Sequence, residues 1–252
     1  MKRLLVAHGV DIYQLCPVFR DDEQGRYHNA EFTLLEWYRI GFDHLALMHD
    51  VERLLAQCAG FSSKTWHKPQ TLRYTDEVAH LCGKPFSSVS VSDIEAVFIR
   101  EKKSYPKSIG NDLDAACDLL LDEFLISRFH PEQTTFIVDY PASQAALAQT
   151  RIDESGQAVA SRFELYWGSV ELANGFHELT DAKEQHKRFI NDLAVREQRG
   201  LPAVPLDHHL IAALSHGLND CAGVALGIDR LLMVLSGAKH IGEVQSFFGN
   251  RA

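Results

Sequence analysis

The sequence has no C-x-x-C pair and no apolar run long enough to span a bilayer as a helix. Its five cysteines, Cys16, Cys58, Cys82, Cys117 and Cys221, are scattered and odd in number. That pattern argues against a disulfide framework or a zinc cage and fits reduced core cysteines in a cytoplasmic protein. The opening stretch MKRLLVAHGVDIYQL lacks the sustained apolar region and small-residue cleavage site of a signal peptide. Positive charge is also scarce: 25 Lys and Arg stand against 34 Asp and Glu, a formal net charge of −9. A broad nucleic-acid footprint needs clustered cations, so this balance argues against one and is compatible with a basic protein partner. Repeats, low-complexity tracts, a G-x-x-x-x-G-K-[ST] loop, H-E-x-x-H and G-x-S-x-G are all missing. The histidines show no metal spacing either, and His208–His209 reads as a helix surface.

What remains is a chain of 252 residues, 46% hydrophobic and 23% charged, enough for a substantial core. No linker-like stretch divides it, although 200–205 is a turn, and a single domain over 1–252 is expected. The β-branched and aromatic content of 11–19 and 29–39 predicts two strands joined by a polar loop. Helical spacing of Leu45, Met48, Val51, Leu54, Leu55 and Cys58 predicts a helix over 42–60, with Gly60 as its stop. Residues 61–130 read as a helix-rich, chemically quiet insertion, with amphipathic helices at 92–103 and 111–130. Strand character returns at 134–140 and 161–176; helices follow at 181–199 and 207–216, and the strand GVALG runs into a last helix. Separated strand clusters with hairpins and a helical insert predict an α+β fold on a mostly antiparallel sheet flanked by helices.

Three clusters carry the chemistry. In FRDDEQGRYHNAEFTLLEWYR (19–39), alternation places Phe32, Leu34, Glu36 and Tyr38 on one face. A carboxylate on a covered face needs a partner. For Glu36 that is either a neighbouring Arg or Lys, or a substrate ammonium. In FELYWGSVELANGFHEL (163–179), a turn at Trp167–Gly168 would set Glu164 directly opposite Glu171, with a cation such as Mg²⁺ between them. A turn at Gly168–Ser169 would separate the two acids. Asn174 and Glu178 supply a further amide and acid. In GVALGIDRLL (223–232), small residues at Gly223, Ala225 and Gly227 allow a ligand to approach the backbone. Asp229 is placed to cap the following helix, and Arg230 lies in its first turn, where a phosphate is favoured.

Taken together and in this order, the clusters resemble the catalytic core of a class II aminoacyl-tRNA synthetase of the lysyl type. The stretch 16–39 resembles motif 2, 161–189 the lysine-pocket segment and 223–235 motif 3. Similarity is closer to the synthetase paralogue that ligates lysine, as its β-isomer, to a lysine of translation elongation factor P. TFIVDYPASQAALAQ (135–149) matches that paralogue's Pro-Ala-Ser-Gln-Ala segment, and Ala225 stands where lysyl-tRNA synthetases usually carry glycine.

The resemblance implies a homodimeric ligase using ATP and Mg²⁺, with lysine or (R)-β-lysine as substrate and elongation factor P as acyl acceptor. It implies that Arg20 and Arg230 are catalytic and hold the phosphates, with Asp21, Asp22, His28, Asn29, Phe32, Glu171, Leu172 and Gly227 around ATP. It places Glu36, Tyr38, Asn174, Glu178 and Ala225 around the amino acid, Glu178 on its distal ammonium, and Glu164 and Glu171 on the metal. Motif 1 and the Ser-Pro-Glu loop precede Met1 in the family's order, so the motif 1 dimer interface is expected to be missing. Asp22 replaces the usual glutamate, Ala30 a proline and Pro17 an arginine. Two other readings accompany the first: a free-standing lysyl-tRNA synthetase-like enzyme, and a truncated ATP- or lysine-binding remnant without catalysis.

Overall fold

The computed structural model describes residues 1–21 and 24–248. In chain order its regular elements are α1 (Lys2–His8), β1 (Ile12–Phe19), β2 (Glu31–Ile40), α2 (His44–Ala59), β3 (Gln70–Arg73), α3 (Tyr74–Cys82), α4 (Val91–Arg100) and α5 (Leu113–Phe124). There follow β4 (Thr134–Val138), β5 (Thr150–Ile152), β6 (Ala158–Ala160), β7 (Arg162–Trp167), β8 (Val170–His177), α6 (Ala182–Gln198), α7 (His208–His216), β9 (Cys221–Gly227) and α8 (Ile228–Ser236). Seven strands form one sheet in the order β1-β2-β9-β8-β7-β4-β3, and β5 pairs with β6 in a separate ribbon. Every pair in the large sheet is antiparallel except β3 with β4, so the expected α+β architecture is observed.

The helix boundaries follow local chemistry. Asp43 caps α2 by accepting from the Ala46 N–H at 2.8 Å, Ser90 and Asp93 form a capping box on α4, and Asp112 caps α5. The helix expected over 111–130 stops at Phe124 and continues as a short 3₁₀ turn, Ile126–Arg128. Residues 61–130 are helix-rich as expected but also hold β3, four residues long and too short to stand out from the sequence. Helix α1 and the β5–β6 ribbon were not legible either.

The two faces of the sheet are covered differently, and that difference creates the site. On one face Trp37, Phe163, Leu165, Val224 and Leu226 pack against Leu47, Val51 and Leu55 of α2 and Leu231 of α8. On the other, α3, α4 and α5 cover the β4–β7 end through Ile137, Tyr166 and Phe176. At the β2–β9 end of that face, Leu5 of α1 and Leu214 of α7 pack on Tyr38 and Cys221. Between these covers the middle of the second face stays open.

Candidate active site

The three clusters, far apart in sequence, become neighbours because β9 lies between β2 and β8. The registers align one row straight across the sheet: Glu36 opposite Ala225, Ala225 opposite Asn174, Asn174 opposite Glu164. The next row runs Tyr38, Gly223, Phe176, Arg162. Because strand side chains alternate, both rows belong to the open face, as the pattern of 32–38 predicted for β2.

One end of this face is a pocket lined by Arg20, His28, Asn29, Phe32, Glu171, Leu172, Asn174, Ala225, Gly227 and Arg230, which gathers most of the expected nucleotide residues. The Arg20 guanidinium lies 5.6 Å from the Phe32 ring centroid. Asn29 is buried and donates to the Gln245 side chain at 2.9 Å. Arg230 donates from Nη1 to the Glu171 carbonyl at 3.0 Å and carboxylate at 3.2 Å, and from Nε to the Tyr27 carbonyl at 3.2 Å. Its fork is thus braced from two sides of the pocket. Asp229 does not cap α8, whose cap position is Gly227; it accepts from the Thr33 N–H at 2.6 Å and ties β2 to α8. Asp21 sits at the loop's start, and Asp22 lies outside the described residues.

The acidic pair occupies the centre. Trp167 pairs with Val170, so the turn is Gly168–Ser169 and Glu171 faces Tyr166 rather than Glu164. A bulge then intervenes between Leu165 and Tyr166, with Leu172 as the extra residue in β8. The bulge returns Asn174 to the face of Glu171, so both acids still point the same way. Glu164 is held by Arg162, by the Tyr166 hydroxyl at 2.6 Å and by Asn174 at 3.3 Å. Burial, and after it the charge of Glu164, pushes the Glu171 carboxyl upward, against the pull of Arg230. Among the described residues no three acids, histidines or cysteines are grouped to cage a metal. Two carboxylates on one face beside the pocket of Arg20 and Arg230 do suit Mg²⁺, which takes one or two carboxylates and completes its shell with phosphate oxygens and water.

On the same face, across β2 and β9, lie the residues expected around the amino acid. Among the described residues Glu36 has neither an Arg nor a Lys partner; Tyr38 donates its hydroxyl to Glu36 Oε1 at 2.5 Å. Burial and the nearby charges of Glu178 and Glu36 hold the Tyr38 phenol protonated far above its ordinary range. Gly223 faces this group closely, since a Cβ there would lie 2.3 Å from the Tyr38 ring and 2.5 Å from Glu178 Oε1. Glu178 itself is 1% exposed and already paired, with the Lys2 ammonium at 2.5 Å.

The family model for tRNA synthetases class II (D, K and N) matches residues 1–251. This chain belongs to that family. Among its class II relatives, a protein of Vibrio atlanticus is 44% identical over 247 residues, covering 98% of this chain and 74% of the relative. A protein of Edwardsiella ictaluri is 44% identical over 253 residues, covering 100% of this chain and 75% of the relative. Both are named elongation factor P–(R)-β-lysine ligase. Within this class II frame, the site residue that sequence reasoning missed is Lys2. Its only signal was a lysine directly before the apolar run LLVA, which periodicity alone does not connect to a residue 176 positions on. Asp118 and Asp122 of α5 were also missed. They line a pocket with Glu164 and Glu171, so the insertion is less quiet chemically than expected.

Proposed function

We propose that this chain is an ATP-dependent ligase that activates lysine or (R)-β-lysine as an aminoacyl-adenylate and passes the acyl group to a lysine of elongation factor P. The supporting observation is a pocket lined by Arg20, Phe32, Ala225 and Arg230, with Glu36 paired directly opposite Ala225 and hydrogen-bonded to Tyr38 on the same face of β2. A nucleotide and an amino acid laid along it meet over the row Glu36–Ala225–Asn174–Glu164. Both relatives carry the corresponding name, and the net charge of −9 favours a basic protein acceptor over tRNA. The scattered free cysteines suit the cytoplasm.

In the first step a substrate carboxylate oxygen bonds to the α-phosphorus of ATP while the bond to the β-phosphate oxygen breaks and pyrophosphate leaves. In the second, the acceptor amine bonds to the acyl carbon, AMP leaves with the bonding pair, and the amine loses a proton. Neither step needs a protein nucleophile. Phe32 offers a face for adenine, with Asp21, His28, Asn29 and Leu172 around the nucleotide and Gly227 permitting its approach. Arg20 and Arg230 align the phosphates and offset the charge that develops on them. Glu164 and Glu171 would hold Mg²⁺, which supplies further charge neutralisation on the phosphate oxygens. Asn174 and Ala225 shape the wall beside the amino acid.

ATP–pyrophosphate exchange driven by lysine or (R)-β-lysine tests this reading. Arg230→Ala is expected to lower exchange by about 100-fold or more, the usual effect of losing one preorganised charge-stabilising donor. Well-folded wild-type protein that exchanges with neither amino acid would overturn the proposal.

A further inference from the structure

At the tip of the β7–β8 hairpin, on the side of α8, lies a separate cavity of about 310 Å³. Its charged lining is of one sign. Arg26, Lys64 and Lys239 border it and, among the described residues, no Asp or Glu does, in a chain whose formal net charge is −9. The Arg26 guanidinium donates from Nε to the Lys239 carbonyl at 2.8 Å and lies 4.8 Å from the Tyr27 ring centroid. The Glu243 carboxylate accepts from the backbone N–H groups of Lys239 and His240, and it lies outside the lining. Cations are favoured near a helix C-terminus, which accounts for Arg26 and Lys239 beside the end of α8. Lys64 comes from the loop between α2 and β3, and the helix end does not account for it.

Trp167 supplies an independent observation. It is 2% exposed and lines the cavity, and its indole N–H has no acceptor among the described residues. A buried donor left unpaired carries its full desolvation cost, so such donors are normally matched. Trp66 packs beside it with ring centroids 5.6 Å apart and planes at 72°, and an indole ring presents no lone pair in its plane. The rest of the wall is apolar, with Tyr27, Phe129, Val170 and Met233.

We propose that this cavity is a binding site for a small amphipathic anion, an apolar or aromatic body carrying one carboxylate or phosphate. The anionic group accepts from Trp167 Nε1 and sits among Arg26, Lys64 and Lys239, while the body packs on Tyr27, Phe129 and Met233. An anion answers both observations at once, because it supplies the missing acceptor and the missing negative charge. The site is independent of the ligase reading: of the residues lining this cavity and the pocket of Arg20 and Arg230, Tyr27 alone is shared.

The test is a nitrogen–proton NMR titration of the full chain, read at its three tryptophan indole N–H signals, with Trp167→Phe assigning that of Trp167. Phenyl phosphate and phenylacetate are the probes, and benzyl alcohol is the neutral control. The Trp167 signal is expected to move downfield and saturate with at least one anion, the tighter of the two naming the anionic group. The Trp37 signal is expected to stay in place, since its indole N–H already reaches Asp50 at 3.3 Å. Lys64→Gln/Lys239→Gln, at half-buried and exposed positions, is expected to weaken the binding by about tenfold or more, the usual loss for a hydrogen bond to a charged group. Arg20→Ala, in the nucleotide pocket, is expected to leave the titration unchanged. A Trp167 signal that neither anion moves would overturn the proposal, as would one that benzyl alcohol moves equally. So would wild-type affinity in Lys64→Gln/Lys239→Gln, or a response lost in Arg20→Ala, which would place the anion among the nucleotide residues instead.

Discussion

At Gly223 there is room for hydrogen and nothing larger. The position is set by two side chains that crowd it, the Tyr38 ring and the Glu178 carboxylate, at 2.3 and 2.5 Å from where a Cβ would stand. Tyr38 cannot retreat freely, since it is buried beside Leu5, Leu214 and Leu218. Gly223→Ala is therefore expected to push the ring aside, break its bond to Glu36 and cost about 1–3 kcal/mol through overpacking. Denaturant unfolding measures the cost, and amino-acid KM in the exchange assay reports the displaced hydroxyl. Ala225→Gly, in the next row, adds no volume and is expected to spare stability by comparison. The pair separates crowding from any general sensitivity of β9.

At the scale of elements, α2 shows how a helix that holds the sheet from behind brings a pH dependence of its own. His44 opens that helix, is 4% exposed, and has no hydrogen-bond partner at either ring nitrogen among the described residues. Burial, and after it the positive charge of Arg151, lowers its imidazolium to about 4. The unfolded chain binds this proton near pH 6.5, so the unfolded state takes up more protons between those values. Stability contributed by neutral His44 is thus complete above about pH 6.5 and lost as pH falls toward 4, by up to about 3 kcal/mol. His44→Leu keeps an apolar side chain there and is expected to flatten that acid limb in thermal melts taken between pH 7 and 4. The β7–β8 hairpin carries its chemistry in the same way. One extra residue, Leu172, decides that Glu171 and Asn174 share a face with Glu164.

For the molecule as a whole, the sheet divides its work between faces. The face against α2 and α8 is continuous core, with Phe163, Leu165 and Leu226 fully buried. The other face is covered only at its ends, leaving the site in the gap. Hydrogen exchange is expected to be slowest in β7, β8 and β9, and faster in β1 at the sheet edge and in the β5–β6 ribbon. Adding lysyl-sulfamoyl-adenosine is expected to slow exchange further in β2 and β9, which border the site, and to leave β3 unchanged. Protection confined to other elements would place the ligand elsewhere.

Much of this site could be read from residues in order. Alternation in 31–40 was enough to put Phe32, Glu36 and Tyr38 on one face, because strand period is local. The expected helices at 42–60, 92–103 and 181–199 lie within a few residues of α2, α4 and α6, because helical spacing is local in the same way. Register is a different kind of fact. Whether the hairpin turned at Gly168–Ser169, and where it bulged, depended on pairing with β4 and β9 on either side. Which acid meets which cation was settled only by the fold, since Lys2 and Glu178 are joined through two helices and the end of a sheet. Composition and periodicity determined the α+β class, the residue types of the site and their faces. Tertiary structure alone decided that β9 would lie between β2 and β8, leaving Glu36 without a cationic partner among the described residues and Glu178 with one. Such pairings are long-range, and a local pattern contains no information about a charge that arrives from elsewhere in the chain.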